Sequence, residues 1–431
     1  MSVTRRARAS ASCFALVALV ASCLEPIGPT VTSVVVRAPM DSLLYGDSLR
    51  IVAIATGDSA AVANPQFTWT SSDTTVAVVD SLGTVLGVSP GVATISAQLG
   101  PFSDEFTVRV MLSRFDAGVA FETMSRGFWR PLCALSVTGA PYCADEDATD
   151  PTPFAPLPKN GDLVFTSFNT SEDSRCGLTN AGLMYCWGQA DHGHWGNGMP
   201  SSFRSDTAPS LGAGGRTFIA LSVGGHSHTC GVNAADSVVY CFGHDDLNQV
   251  GRGSPLANDT VVAPTGGAPK GIAVTAEDHR NCLIGLDRAL ICWGQQVATP
   301  TPVPTPEPMA EVLTGRPHTC ALAVTRKLYC WGTNTAGQLG VGNTSSASTP
   351  TLVAGNLEFT FFASTELATC AITSDGALYC WGDFHPLAVS SRLGAARYTP
   401  VRILPQYRFK SYAATTYACG ITTDGQLFCW Q

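Results

Sequence analysis

Charged side chains are scarce in this chain: Asp, Glu, Lys and Arg make up 13% of its 431 residues, against about a quarter in an ordinary globular domain. Their balance is one-sided. The formal charge is −8, from 25 basic and 33 acidic residues; the first 22 residues hold Arg5, Arg6 and Arg8 but no acid, so the remainder stands at −11. A nucleic-acid partner requires a basic face against phosphate, and this balance argues against one. No apolar run reaches the ~20 residues that a helix needs to cross a bilayer. Cysteine is absent from Leu24 to Leu132, so that stretch is held by packing alone. Nucleophile elbows, phosphate loops, HExxH and EF-hand patterns are also missing, which leaves no catalytic residue, metal or cofactor to assign. What is present is 45% apolar residues and 42 glycines. That mixture can bury a core and excludes global disorder. The length calls for two or three domains.

The first residues read as an address. Three arginines precede a short apolar run from Cys13 to Val20, followed by Val20-Ala21-Ser22-Cys23. A basic segment, a short apolar core and small residues before a cleavage point make a secretory signal over 1–22. The last four residues resemble the lipobox of bacterial lipoproteins. That resemblance implies a lipid on Cys23, which becomes the mature N-terminus of a short linker, 23–30. Leu24, rather than Asp, after the cysteine favours the outer membrane. The expected protein is anchored to the cell envelope, not spanning it.

Residues 31–111 predict a β-sandwich. Val31–Ala38, Leu49–Thr56, Phe67–Thr70, Val76–Asp80, Val92–Ala97 and Glu105–Val110 are short β-rich runs, punctuated by Gly57-Asp58, Ser81-Leu82-Gly83 and Ser89-Pro90-Gly91. Trp69 is available to fill the core. The stretch from Trp69 to Asp80, with Gly83, Val85, Gly87, Pro90-Gly91 and Ala93-Thr94-Ile95, resembles the bacterial Ig-like group 2 family, whose members serve as spacers or adhesive modules.

From 112 to 431 the cysteines set the pattern. They form seven pairs: Cys133 with Cys143, Cys176 with Cys186, Cys230 with Cys241, Cys282 with Cys292, Cys320 with Cys330, Cys370 with Cys380 and Cys419 with Cys429. Six pairs are ten residues apart and one is eleven, inside a repeat of 38 to 54 residues. A fixed local spacing in a longer period marks a repeat architecture. In Cys370 to Cys380, a three-residue loop places Gly376 at the left-handed position of a bulged hairpin turn. Counting outward, the two cysteines oppose each other at a non-hydrogen-bonded position, where side chains come closest. Gly139, Gly182 and Gly425 repeat the design. Arg288 and Arg326 stand where glycine is expected and the third pair has one extra residue, so those turns are expected to differ. Seven hairpin disulfides follow, whereas zinc would ask for closer ligands.

A phrase recurs around the pairs: Leu328-Tyr329-Cys330-Trp331-Gly332, Met184-Tyr185-Cys186-Trp187-Gly188, Leu378-Tyr379-Cys380-Trp381-Gly382 and Leu427-Phe428-Cys429-Trp430. His228-Thr229-Cys230 matches His318-Thr319-Cys320, and Asn334 to Gly340 echoes Leu247 to Gly251. This pattern resembles the regulator of chromosome condensation repeats, in the cysteine-paired form of secreted bacterial proteins. The resemblance implies a seven-bladed β-propeller and leaves open which terminal strand closes it. The expected fold is all-β, an Ig-like β-sandwich followed by a seven-bladed β-propeller.

Remaining polar residues read as scaffold. His226, His228 and His318 suggest metal or acid–base chemistry, but His228 and His318 share one phase of the repeat and are expected to satisfy backbone groups between blades. Asp191-His192-Gly193-His194-Trp195 is a weak metal candidate without a third ligand. Glu146 with Asp147 and Asp245 with Asp246 are carboxylate pairs of the kind glycoside hydrolysis uses, but nothing places two across a cleft, and they read as solvated loop residues. The tryptophans after the second cysteines are repeat core. Thr299 to Pro308, with five prolines, reads as an extended exposed connector. Blade one departs from the repeat at Phe128, Trp129 and Arg130, two aromatics and an arginine that either anchor a partner or pack on the upstream domain. Together these features predict a non-enzymatic, lipid-anchored envelope protein whose propeller binds a protein or glycan. The resemblance also implies guanine-nucleotide exchange, or inhibition of an extracellular enzyme, as alternatives; hydrolysis of a polysaccharide is a further one.

Overall fold

The computed structural model describes residues 31–431 except 59–61, 63–64, 112, 116–117, 126–130, 145–153, 158–161, 172–173, 200–202, 226–227, 252–257, 263–268, 278, 296, 384–396, 416 and 431. The leader and Cys23 lie outside the described residues. The chain divides into two compact units, with the change from one to the other between Arg109 and Val110 and two short stretches, Leu44–Asp47 and Val88–Pro90, grouped with the second.

The first unit is built from short antiparallel strands, as alternating apolar residues between turn signals dictate. Val31–Arg37 pairs with Val52–Gly57; Phe102–Met111 lies between Ser42–Leu44 and Gly91–Leu99, with Thr68–Ser71 beyond; Thr84–Gly87 lies between Ser48–Arg50 and Ala77–Val79. Ile51, Val85, Ile95, Ala97 and Val108 are fully buried. Trp69 is only half-buried and does not fill the centre. It lies against Gly83, where an added Cβ would meet the indole at 2.7 Å. Asp80 shapes the adjoining turn by accepting from the Leu82 and Thr84 amides at 2.9 and 2.8 Å.

The second unit holds seven four-stranded antiparallel sheets, the blades. Their first strands are Phe121–Met124, Phe165–Thr170, Phe218–Gly224, Gly271–Glu277, Met309–Thr314, Phe359–Ser364 and Phe409–Ala414. Six blades take all four strands from consecutive sequence. Blade 7 takes three, ending with Leu427–Trp430, and gains its fourth from Ser113–Phe115, which precedes blade 1. This is the strand that closes the propeller.

Backbone hydrogen bonds complete the circle. In every blade the residue at the tip of the hairpin between the second and third strands accepts, through its carbonyl, the amide of the residue that starts the next blade. Thus Phe165 donates to Gly139, Phe218 to Gly182, Gly271 to Ser237, Met309 to Arg288, Phe359 to Arg326 and Phe409 to Gly376, all at 2.7–3.0 Å. Phe121 donates to Gly425 at 2.8 Å and joins blade 7 to blade 1. The carbonyl can face the next blade because the tip residue has positive φ, +79° at Gly376, where glycine is favoured.

Arg288 and Arg326 correct the sequence expectation. Their φ values are +69° and +67°, and their amides bond to Gly285 and Ala323 in the same way that Gly376 bonds to Thr373. The turns are the same. The demand of the next blade outweighs the arginine's preference against the left-handed region. Only the third hairpin differs: Ser237, with φ +59°, bonds to Asn233, one residue further back.

Blades 2, 3 and 7 also match a phenylalanine at the start of the first strand with a glycine beside the first cysteine. Phe165 lies over Gly177, Phe218 over Gly231 and Phe409 over Gly420, where an added Cβ would come within 2.5–2.7 Å of the ring. Blade 4 reverses the pair: Gly271 faces Leu283, and a Cβ on Gly271 would come within 2.4 Å of the Ile284 carbonyl and 2.6 Å of Leu283. Volume is conserved while the sides are exchanged, as close packing requires.

All seven disulfides form as the spacing predicts. Cys133 is bonded to Cys143, Cys176 to Cys186, Cys230 to Cys241, Cys282 to Cys292, Cys320 to Cys330, Cys370 to Cys380 and Cys419 to Cys429, with Cα atoms 4.0–4.1 Å apart. In every pair the two cysteines stand directly opposite each other on the second and third strands of the blade. The extra residue between Cys230 and Cys241 is taken up at the Ser237 turn and leaves this register intact. Burial is not uniform along the series. Cys143 is 5% exposed and Cys292 is only partly buried, whereas Cys241 and Cys282 are fully enclosed. The tryptophans after the second cysteines are buried, Trp187, Trp293, Trp381 and Trp430 almost completely. The glycine after Trp381 has its own cause. Gly382 has φ +88°, and a Cβ there would lie 2.3 Å from the Leu367 carbonyl.

Candidate binding faces of the propeller

The histidines show what the repeated polar residues do. His228 and His318 are fully buried at the start of second strands. His318 Nε2 lies 2.9 Å from Thr369 Oγ1 on the next blade, and Thr369 donates its proton to the Gln338 carbonyl at 2.9 Å. The threonine oxygen therefore accepts from His318, which fixes the Nε2–H tautomer. Trp381 Nε1 also donates to Gln338 O, at 2.9 Å. The same relay recurs two blades earlier: His228 Nε2 lies 2.9 Å from Asn281 Oδ1, while Asn281 Nδ2 and Trp293 Nε1 both donate to Gln249 O. The sequence expectation placed a backbone group opposite each histidine. The structure places a side chain there, which passes the interaction on to a backbone carbonyl.

The glutamines that supply those carbonyls lie in a repeated loop. Asn334 Oδ1 accepts from Leu339 N at 3.0 Å and Gln338 Oε1 from Ala336 N at 2.9 Å. Asp245 Oδ1 and Gln249 Oε1 do the same for Val250 N and Leu247 N, both at 2.8 Å. Asp245 is therefore a buried loop brace and not a solvated carboxylate. Burial pushes the His318 imidazole down to about 4 and keeps it neutral at physiological pH.

The loop from Asp191 to Trp195 separates its two histidines. His194 is buried and its Nε2 lies 2.7 Å from Ser174 Oγ. His192, at φ +49°, stacks on His244 of the next blade with ring centroids 4.3 Å apart. Asp246 lies 3.5 Å from His244 Nδ1 and accepts from Gln249 Nε2 at 2.8 Å, and Gln249 Nε2 lies 3.2 Å from His279 Nδ1. Among the described residues, no group of three or more His, Cys, Asp or Glu side chains is arranged to hold a metal ion. The proline-rich segment is extended and exposed, as expected. It is also a true strand, Val297–Val303, at the outer edge of blade 4, where missing amides are tolerated. Phe128, Trp129, Arg130, His226, Glu146 and Asp147 lie outside the described residues.

Sequence reasoning missed the polar seams between first strands. Asn169 Nδ2 donates to Leu221 O, Ser222 Oγ accepts from Ala276 N at 2.9 Å, Thr275 Oγ1 lies 3.5 Å from Thr314 Oγ1, and Ser411 Oγ accepts from Met124 N at 2.9 Å. These join blades 2 to 3, 3 to 4, 4 to 5 and 7 to 1. In blades 5, 6 and 7 the residues opposite the first cysteine are Leu313, Ala363 and Ala413, which have no hydrogen-bonding side chain, and Ser411 stands two positions before Ala413. No repeated motif marks these positions, so nothing in the chain's pattern signals them.

Seven closed four-stranded blades, each stapled by one hairpin disulfide, and a separate unit of short strands can be set against known proteins. Residues 30–109 match the bacterial Ig-like domain (group 2), and residues 327–366 and 314–338 match two descriptions of the regulator of chromosome condensation (RCC1) repeat. The chain carries a group 2 Ig-like domain and RCC1 repeats. Among solved structures, Prp20p from Saccharomyces cerevisiae, described with its binding properties to Gsp1p and histones, is 14% identical, with a TM-score of 0.58 over 85% of this chain and 92% of that one. Human WBSCR16 is also 14% identical, with a TM-score of 0.58 over 78% and 91%. Yeast RCC1 (Prp20) in complex with Kap60 is 19% identical, with a TM-score of 0.52 over 63% and 70%. At these identities the likeness is one of fold. In this chain Ser113–Phe115 is the clasp of blade 7.

Proposed function

We propose that this is a non-enzymatic binding protein, lipid-anchored through Cys23 to the bacterial cell envelope at its outer membrane, with the Ig-like domain as spacer and the RCC1 propeller as recognition module for a protein or glycan. The observation that carries this reading is the use of the repeated polar residues: His228, His318, Gln249, Gln338 and Asn334 brace blade against blade or shape loops. A scaffold built this way holds variable loops rigidly, which suits recognition. Seven disulfides support an oxidising compartment outside the cytosol, in keeping with the leader and Cys23. Gsp1p binding belongs to Prp20p. An exported chain would not meet a cytosolic GTPase, so nucleotide exchange is the weaker alternative.

Protease shaving of intact cells, with mass spectrometry of the released peptides and the mature N-terminus, tests the reading. Release of propeller peptides with a lipidated Cys23 left behind is the expected result. Full protection until the envelope is opened moves the protein to the periplasmic side, as a scaffold or enzyme inhibitor. An unprocessed N-terminus in the cytosol overturns the proposal.

A further inference from the structure

One seam of the propeller lacks a part that the seams on either side of it have. Between blades 3 and 4 the Gln249 carbonyl accepts from Asn281 and Trp293; between blades 5 and 6 the Gln338 carbonyl accepts from Thr369 and Trp381. The residue after each glutamine, Val250 or Leu339, is buried in one cluster with the same tryptophan and the preceding blade's disulfide. These residues belong to the connections between third and fourth strands, 244–257 and 333–346. In blade 4 that connection is Gln295 and Gln296 alone, and Gly294 pairs directly with Val297. So short a turn brings neither a carbonyl nor an aliphatic residue to blade 5.

The groups it fails to cover are open. Trp331 stands opposite Thr319 as Trp293 stands opposite Asn281 and Trp381 opposite Thr369. Trp331 is 8% exposed where Trp293 and Trp381 are fully enclosed, and Cys292 is only partly buried. Among the described residues Trp331 Nε1 has no acceptor, and unlike Thr319 Oγ1 it is not closed to water. Arg280 holds the position that His228 and His318 hold in blades 3 and 5, opposite the glycine that ends the third strand. Its half-buried guanidinium donates to Gln295 Oε1 at 3.3 Å. Burial pulls Arg280 below its ordinary pKa, with no carboxylate among the described residues to oppose it.

We propose that the seam between blades 4 and 5 receives an acidic loop of a partner protein, whose carboxylate pairs with Arg280 while an oxygen of the same loop accepts from Trp331 Nε1–H. Charge complementarity selects the carboxylate: a guanidinium fork takes its two oxygens side by side. Continuity with the neighbouring seams selects a peptide over an acidic sugar. There the chain's own backbone supplies a carbonyl followed by a branched aliphatic side chain, and the same pair from a partner would give Trp331 its acceptor and cover Cys292. The inference rests on the binding reading above and names the partner's chemistry; it does not depend on the anchor at Cys23.

The test follows the tryptophan indole N–H resonances of the full chain after signal cleavage, titrated with two capped peptides, Gly-Glu-Leu-Gly and Gly-Gln-Leu-Gly, which differ in charge alone. Trp331→Phe, which keeps a ring and removes the donor, identifies the Trp331 resonance. The Glu peptide is expected to bind saturably, to shift that resonance, to bind severalfold more tightly than the Gln peptide, and to lose that advantage as salt rises. Arg280→Met, which keeps the stem, should bring the two peptides to equal affinity, with near-ultraviolet circular dichroism showing the variant folded. The salt dependence of the unaltered chain keeps the test decisive if that variant does not fold. No saturable binding, equal affinity of the unaltered chain for both peptides, a salt-independent preference, or a preference that survives in folded Arg280→Met overturns the proposal. Glucuronate that displaces the Glu peptide at comparable affinity assigns the seam to acidic sugars and overturns it too. Failure of the surface-shaving experiment would leave these results untouched, so the two readings fail separately.

Discussion

The carbonyl of Gly425 accepts the amide of Phe121 at 2.8 Å, linking residues more than three hundred positions apart. It is the last of seven such bonds, and it is reinforced by Ser113–Phe115 pairing with Leu427–Cys429. Deleting 113–115 should therefore open the ring at one seam while leaving six blades with complete sheets. The expected outcome is a lower melting temperature and a concentration-dependent association through the bared edge of blade 7. Differential scanning calorimetry and sedimentation check both.

The exchanged pair in blade 4 gives a compensation test. Gly271→Phe alone meets both the Ile284 carbonyl and the Leu283 side chain and should cost at least ~2 kcal/mol. Adding Leu283→Gly removes the side-chain contact and should recover only part of that loss, because the Ile284 carbonyl still lies 2.4 Å from the new Cβ. Urea denaturation of the single and double variants measures the coupling. A strictly additive double variant would show that the two sites do not share volume.

Arg288 and Arg326 hold positive φ at the turn tips. Replacing either with glycine should stabilise the fold by up to about 1 kcal/mol, since the left-handed region carries little penalty without a Cβ. Gly376→Arg should move stability the other way. Paired melting curves decide.

Every disulfide closes a loop of about ten residues inside one blade. Removing one pair as Cys→Ala should cost about 3 kcal/mol on chain-entropy grounds. Pairs in separate blades should add, because they share no loop. The staples are confined within hairpins, so reduction should lower the melting temperature without separating blade 7 from its clasp. Hydrogen exchange at Arg114 and Phe428 reports that pairing.

The buried imidazole of His318 makes stability depend on pH. Its folded value, about 4, lies below the ordinary 6.5, so the unfolded chain binds the proton first. Stability should fall as pH drops below 6.5 and stop falling, for this group, near 4. His318→Gln should flatten that segment of the stability curve, at the expense of a lower plateau at neutral pH.

Much of this architecture was legible because the cysteine spacing is a ruler. Ten residues between opposed positions fix turn length, register and which face holds the tryptophan, and the repeat then counts blades. The clasp was not legible. Ser113–Phe115 is three residues long, has no cysteine, and its identity as a strand comes from an edge supplied at the far end of the chain. The arginine tips depart from expectation because local preference favours glycine, whereas the deciding partner is an amide on another blade. The stitches of Asn169, Ser222, Thr275 and Ser411 depend on positions that vary from repeat to repeat, and opposite the first cysteines of blades 5, 6 and 7 stand Leu313, Ala363 and Ala413 instead.

One residue separates Met111, the end of the last Ig-like strand, from Ser113 at the start of the clasp. Tension transmitted along the chain from its N-terminal side therefore reaches the clasp before any blade. The clasp pairs with the strand that Cys429 ties to Cys419. A pull strong enough to peel Ser113–Phe115 away would leave the other three strands of blade 7 in place, still joined to blade 1 by the Phe121–Gly425 and Met124–Ser411 bonds.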